Sequence, residues 1–210
     1  LAGYSGTASL QDLLFAKINV STGDIATFDS SGVVVTPRWD LRAIVSNGYV
    51  YAIGGCGTGA APSNCTAMQP EVQTFQLYNN DSGTPVNYAA SANQFATDRI
   101  GASSTIMNGY LYIAGGCTST TDCTTATDSV QYAAIDINGA LGAWSAGGSL
   151  PSARAWGQLE NAGGTLYYIG GQESTATNES AEVYYTSSVV TGNPTWTGAT
   201  NDLPDARTKH

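Results

Sequence analysis

Three segments of this 210-residue chain are variants of one another: NGYVYAIGG at 47–55, NGYLYIAGG at 108–116 and GGTLYYIGG at 163–171. An internal repeat constrains the fold more than any single residue does, because a unit of this size cannot bury an apolar face alone and must stack on its neighbours. Two further landmarks keep the same phase. Arg38, Arg99 and Arg154 each stand nine residues before the hairpin turn, and Arg207 continues the series at steps of 61, 55 and 53 residues. Phe28, Tyr88, Trp144 and Trp196 stand ten or eleven residues before those arginines. The opening Leu1-Ala2-Gly3 reads as the tail of one more copy of the glycine-ended segment.

Each unit carries the grammar of a four-stranded antiparallel sheet. An apolar stretch follows the arginine, then come a tight turn, a second strand ending in the glycine pair, a variable loop, a third strand, another turn and a fourth strand with the aromatic. Asn47-Gly48 and Asn108-Gly109 suit the positive φ angles of a two-residue type I′ hairpin.

A glycine pair closing the second strand, an aromatic in the fourth and a period in the fifties resemble the kelch repeat. The corner after the third strand departs from the common Tyr-Asp-Pro form, reading QLYNNDSG, AAIDINGA and YYTSSVVTGN. The resemblance implies an all-β, kelch-like β-propeller of four-stranded antiparallel blades, with about four blade-lengths of a larger ring in this chain. The expected division is the outer strands of one blade in 1–38, blades at 39–98, 99–153 and 154–206, and the start of the next at 207–210. Open blade edges pair readily with other chains, so the ring is expected to have six to eight blades or to be completed by a second chain.

Strand parity sorts the connections onto two faces. The arginines and the long loops after the glycine pairs share one face, and the short turns take the other. Function concentrates on variable loops held by a rigid scaffold, so the loop-bearing face is the candidate binding surface. Strand A is expected to line the crowded centre, as the small Gly101-Ala102-Ser103-Ser104 suggests. Tyr51, Tyr112 and Tyr167, in register along the second strands, are expected to pack between blades.

Cys56 and Cys117 directly follow a glycine pair, and Cys65 and Cys123 lie within the same loops. Local disulfides Cys56–Cys65 and Cys117–Cys123 are expected, placing the protein in an oxidising, extracellular or cell-surface location. A zinc site is the weaker alternative, since no histidine accompanies the thiols and neither spacing is CxxC. A net charge of −9 with only 7 Lys and Arg residues excludes the basic footprint that nucleic acid requires. No stretch approaches the roughly twenty apolar residues of a membrane span, so no membrane insertion is expected.

Catalytic chemistry has little material here. The one histidine, His210, is terminal, so histidine-based triads are not formed within these residues. No cofactor is expected. The Asn79–Gly83 turn offers oxygen ligands without the acidic spacing of a calcium loop. Arg38, Arg99 and Arg154 are candidate ligand-binding residues, since guanidinium forks converging on one face would hold a carboxylate; bonding to backbone carbonyls at blade junctions is the simpler use. Trp39 and Trp156, one and two residues after their arginines, are candidate sugar-stacking faces. Sequons stand at Asn19, Asn64, Asn80 and Asn178. The expected function is a secreted or cell-surface binding or adhesion module for a glycan or protein ligand. The alternatives are a carbohydrate-active, sialidase-like enzyme completed by further blades, and a structural unit that assembles into filaments or layers.

Overall fold

The computed structural model describes residues 14–30, 36–60, 64–77, 85–120, 123–174, 178–187 and 193–208. The described residues form strands and no helix. A short pair, β1 (Leu14–Phe15) and β2 (Asp29–Ser30), is followed by three four-stranded antiparallel sheets. The first comprises β3 (Arg42–Ser46), β4 (Tyr49–Ile53), β7 (Val72–Gln76) and β8 (Val86–Ala90), with β5 (Cys56–Ala60) and β6 (Asn64–Met68) forming a separate hairpin inside its loop. The second is a plain meander of β9 (Ser103–Met107), β10 (Tyr110–Ala114), β11 (Ser129–Ala134) and β12 (Ser145–Ser149). The third repeats it with β13 (Gln158–Ala162), β14 (Thr165–Ile169), β15 (Val183–Ser187) and β16 (Thr195–Gly198).

The local chemistry sets these hairpins. Asn47 and Gly48 adopt φ of 49° and 80°, Asn108 and Gly109 52° and 77°, the paired positive angles of a type I′ turn whose twist matches the flanking strands. The registers then coincide across repeats. Tyr51 pairs with Thr74, Tyr112 with Tyr132 and Tyr167 with Tyr185.

The sheets pack face to face in chain order, with β9 against β3 on one side and β13 on the other. Tyr51, Ile53 and Val72 of the first sheet meet Leu111, Ile113 and Ala133 of the second. Tyr112, Ala114 and Val130 on the second sheet's other side meet Leu159, Leu166, Tyr168 and Tyr184 of the third. The Tyr51 hydroxyl donates to the Gly139 carbonyl at 3.1 Å, stitching neighbouring sheets together. Burial pushes the Tyr51 and Tyr112 phenols up to about 12.

Three features differ from the sequence reading. The loop after the first glycine pair is partly ordered as the β5–β6 hairpin. Tyr167 is only half-buried, unlike its two equivalents, and no further sheet packs on it among the described residues. Trp144 lies just outside β12, packing edge-on against Phe95 and donating to the Asn93 carbonyl at 3.1 Å. Leu1–Gly3, the Asn79–Gly83 turn with its Asn80 sequon, and His210 lie outside the described residues.

Candidate functional site

Arg38, Arg99 and Arg154 take equivalent places and are fully buried. Arg38 donates to the Gly54 carbonyl at 2.9 Å and to Glu71 Oε1 at 2.7 Å. Arg99 donates to the Gly115 carbonyl at 2.9 Å and the Ser129 carbonyl at 3.1 Å. Arg154 reaches Glu173 at 3.1 Å, the Tyr184 hydroxyl at 3.1 Å and the Glu182 carboxylate. Each guanidinium ties the end of its sheet's second strand or the following loop to the start of the third strand. Among the described residues no carboxylate pairs with Arg99, and burial pushes it down to about 10. This burial favours the carbonyl-bonding role over a clamp for an incoming carboxylate.

Two residues beyond each arginine the backbone turns left-handed, with φ of 51° at Asp40, 59° at Gly101 and 54° at Trp156. A bulky residue there is strained, and such strain persists only where its surroundings over-determine it. The Trp156 indole lies over Gly101 and donates to Asp40 Oδ2 at 2.9 Å. Three equivalent backbone positions from three sheets therefore meet at one point. Just beneath, Arg42 donates to the Ala102 carbonyl at 3.0 Å and the Gly157 carbonyl at 3.4 Å.

Trp39 and Trp156 share one apolar cluster with Ile100, Ala126 and all four cysteines, which are paired as Cys56–Cys65 and Cys117–Cys123. Both disulfide loops thus lie on the same face. The loops are linked in series: Cys65 donates its amide to the Thr120 carbonyl at 2.8 Å, and Ala126 to Ser174 Oγ at 3.2 Å. Closing loops this short is worth about 2–3 kcal/mol each in the chain-entropy model. Replacing Cys56 and Cys65 together by serine is expected to lower stability by about that amount. Chemical denaturation with and without reductant checks this, since the variant keeps the Cys117–Cys123 bridge and reductant should shift it by less than the parent protein, which loses both.

Beside this cluster a cleft of about 290 Å³ is lined by Ser152, Ala153, Arg154, Glu173, Ser174 and Asn178. Glu173 and Glu182 are half exposed, at 50% and 49%, while the guanidinium between them is buried. The Tyr184 hydroxyl bond holds the Glu182 carboxyl below its usual range, the Arg154 charge adding to the effect against the opposing pull of burial. The cleft therefore offers carboxylate oxygens, an amide and hydroxyls, with the Arg154 cation already neutralised. That donor set matches neutral, hydroxyl-rich ligands better than anionic ones. A larger cleft of about 690 Å³ between the first two sheets includes Tyr49, Asn87, Asn93 and Gly139 and has no charged side chain in its lining.

The structure brings Trp39, Trp156 and the cysteines together and keeps Arg38, Arg99 and Arg154 each within its own repeat. Sequence reasoning passed over Glu71, Glu182 and Tyr184. A signal existed for two of them: Glu71 and Glu182 stand one residue before their third strands, in phase with Ser129.

No protein-family model and no curated protein matches the chain. Among solved structures, that described as the structure of YjhT superposes with a TM-score of 0.69 at 15% identity, over 99% of this chain and 66% of the other. Similarity at that identity speaks to the fold alone. The chain spans about 66% of the length of that neighbour.

Proposed function

We propose that the chain is part of a kelch-like β-propeller acting as an extracellular binding or adhesion module, with a neutral glycan bound on the face that carries the disulfide loops. The repeated sheets, their face-to-face packing in chain order and the superposition on a longer all-chain neighbour support the ring. The two disulfides support an oxidising location. The observation that carries the ligand reading is the cleft in which Glu173, Ser174 and Asn178 stand around Arg154, itself neutralised by Glu173 and Glu182, beside a disulfide-braced pair of tryptophans. Carboxylate and amide groups accept and donate to adjacent sugar hydroxyls, and a rigid, preorganised rim lowers the ordering cost of binding.

Screening immobilised neutral and acidic oligosaccharides tests this. Neutral glycans should be retained, and Glu173→Gln or Asn178→Ala should weaken retention about tenfold, the effect of losing one or two good hydrogen bonds, with the melting temperature unchanged in Asn178→Ala. Retention of acidic glycans alone, or unaltered affinity in both variants, would overturn the assignment. A carbohydrate-active enzyme is the second reading, favoured by the Tyr184 hydroxyl bonded at 2.7 Å to Glu182 in the same network. Turnover of glycosides that falls in Glu182→Gln would select it.

A further inference from the structure

The three buried arginines sit in one repeated frame, and the frames differ at a single place. The Gly54 amide donates to the Glu71 carbonyl at 3.2 Å, the Gly115 amide to the Ser129 carbonyl at 3.0 Å and the Gly170 amide to the Glu182 carbonyl at 2.9 Å. Glu71, Ser129 and Glu182 therefore hold one position, and the second repeat has no carboxylate there. Serine keeps the β carbon and an oxygen at the γ place; what it lacks is the carboxylate carbon with both its oxygens.

The donors that serve that carboxylate are nevertheless retained. In the first repeat Glu71 Oε1 accepts from Arg38 Nη2 at 2.7 Å, from Gln73 Nε2 at 2.9 Å and from Thr36 Oγ1 at 3.3 Å. Thr97 stands before Arg99 as Thr36 stands before Arg38, and Gln131 follows Ser129 as Gln73 follows Glu71. The third repeat fills the same places with Ser152, Arg154 and Tyr184 around Glu182. Gln131 is buried and its amide oxygen accepts from the Ala96 amide at 2.9 Å, while its nitrogen makes no bond among the described residues.

Arg99 repeats every bond of Arg38 except the one to a carboxylate. Its Nε donates to the Thr97 carbonyl at 3.0 Å, and its Nη1 to the Gly115 and Ser129 carbonyls at 2.9 and 3.1 Å, as Arg38 does to Thr36, Gly54 and Glu71. Among the described residues its Nη2 reaches Ser129 Oγ alone, at 3.4 Å. A buried cation without a counter-charge is costly, because nothing offsets its lost hydration. Burial lowers both arginines, and Glu71 opposes it at Arg38. Thr97 is exposed and Ser129 partly so, which opens the place to solvent.

We infer that Arg99, with Thr97 and Gln131, binds a small free carboxylate anion of formate size where the flanking repeats place the Glu71 and Glu182 carboxylates. The tie from Arg99 to the backbone is unchanged, because Nε and Nη1 make it and Nη2 meets the anion. One guanidinium holds one small ion here, in contrast to several converging on a ligand. The inference stands apart from the glycan reading, since Arg99 does not line the cleft around Arg154. A carboxylate on a bulky sugar acid has the same chemistry, and the test separates the two sources.

Urea denaturation at neutral pH and fixed ionic strength, with sodium formate exchanged for sodium glucuronate, is that test. Formate should raise the midpoint saturably, multiplying the folding equilibrium constant about elevenfold at ten times its dissociation constant. Ser129→Glu restores an internal carboxylate, so its midpoint should stand near that of the formate-saturated parent and should not move with formate. Thr97→Val, at an exposed position that leaves folding intact, should weaken formate binding about threefold or more, the loss of one hydrogen bond. Broadening of the formate proton resonance by the parent protein gives a reading that needs no variant. No dependence on formate, an equal shift in Ser129→Glu, or undiminished affinity in Thr97→Val would overturn the inference. A midpoint that falls as formate replaces glucuronate would assign Arg99 to the carboxylate of a larger acidic ligand and overturn it as well.

Discussion

Gly115→Ala is expected to destabilise the protein by about 2–5 kcal/mol, combining left-handed strain of about 1–2 kcal/mol with an overpacking cost of about 1–3 kcal/mol. Gly115 sits at φ +63°, and a Cβ there would overlap the Arg154 carbonyl oxygen while approaching the Tyr168 hydroxyl to 2.9 Å. Neither neighbour can yield cheaply. The Arg154 carbonyl is held by the Gly116 amide at 2.7 Å, and Tyr168 is fully buried between the second and third sheets. Gly109→Ala is the matched control, because its φ of +77° is similarly left-handed but nothing lies within 4 Å of the added carbon. It should cost about 1–2 kcal/mol, the backbone term alone. Urea denaturation of the two variants separates strain from crowding. Equal losses would mean that the junction is not packed as described.

Arg38→Ala is expected to cost about 3–5 kcal/mol, the usual penalty for removing one partner of a buried ion pair. The guanidinium is fully buried against Glu71, whose carboxylate is 16% exposed, and it also satisfies the Gly54 carbonyl at 2.9 Å. Truncation leaves both acceptors without their donor. Glu71 keeps bonds from Gln73 at 2.9 Å and Thr36 at 3.3 Å, which is too little to compensate for a lost charge. Glu71→Gln should cost less, about 1–2 kcal/mol, because the arginine retains its carbonyls and an amide oxygen still accepts. A loss below about 1 kcal/mol for Arg38→Ala would indicate an exposed arginine and reopen its role as a ligand clamp. Thermal unfolding followed by tryptophan fluorescence reads both variants.

The three sheets were legible because each depends on local signals that recur: a turn dipeptide, a tyrosine on one side of the second strand, a glycine pair at its end. The cysteine pairs were legible for the same reason, since both partners of each lie in one loop. What escaped was set by contacts across repeats. The left-handed backbone at Asp40 and Trp156 gives no local sign, because neither residue favours that geometry as glycine does at Gly101. Trp156 is held there by its indole contacts with Gly101 and Asp40, residues of two other repeats. The cleft around Arg154 was also hidden, because Glu173 follows the glycine pair of the third repeat where cysteine loops occupy the first two, and Glu182 lies a further nine residues on. Tyr167 looked equivalent to Tyr51 and Tyr112, and its sequence environment is equivalent; what distinguishes it is that no sheet packs on it among the described residues.

Hydrogen–deuterium exchange of the chain with and without a retained oligosaccharide tests the central claim, that recognition occurs on the loop-bearing face of repeated β-sheets. The account predicts slowed exchange in residues 152–157, 172–174 and 178–180, extending to the 117–126 loop, with the turns at 47–48, 108–109 and 163–164 unchanged. Protection confined to those turns, or to the larger cleft lined by Tyr49, Asn87 and Gly139, would contradict it.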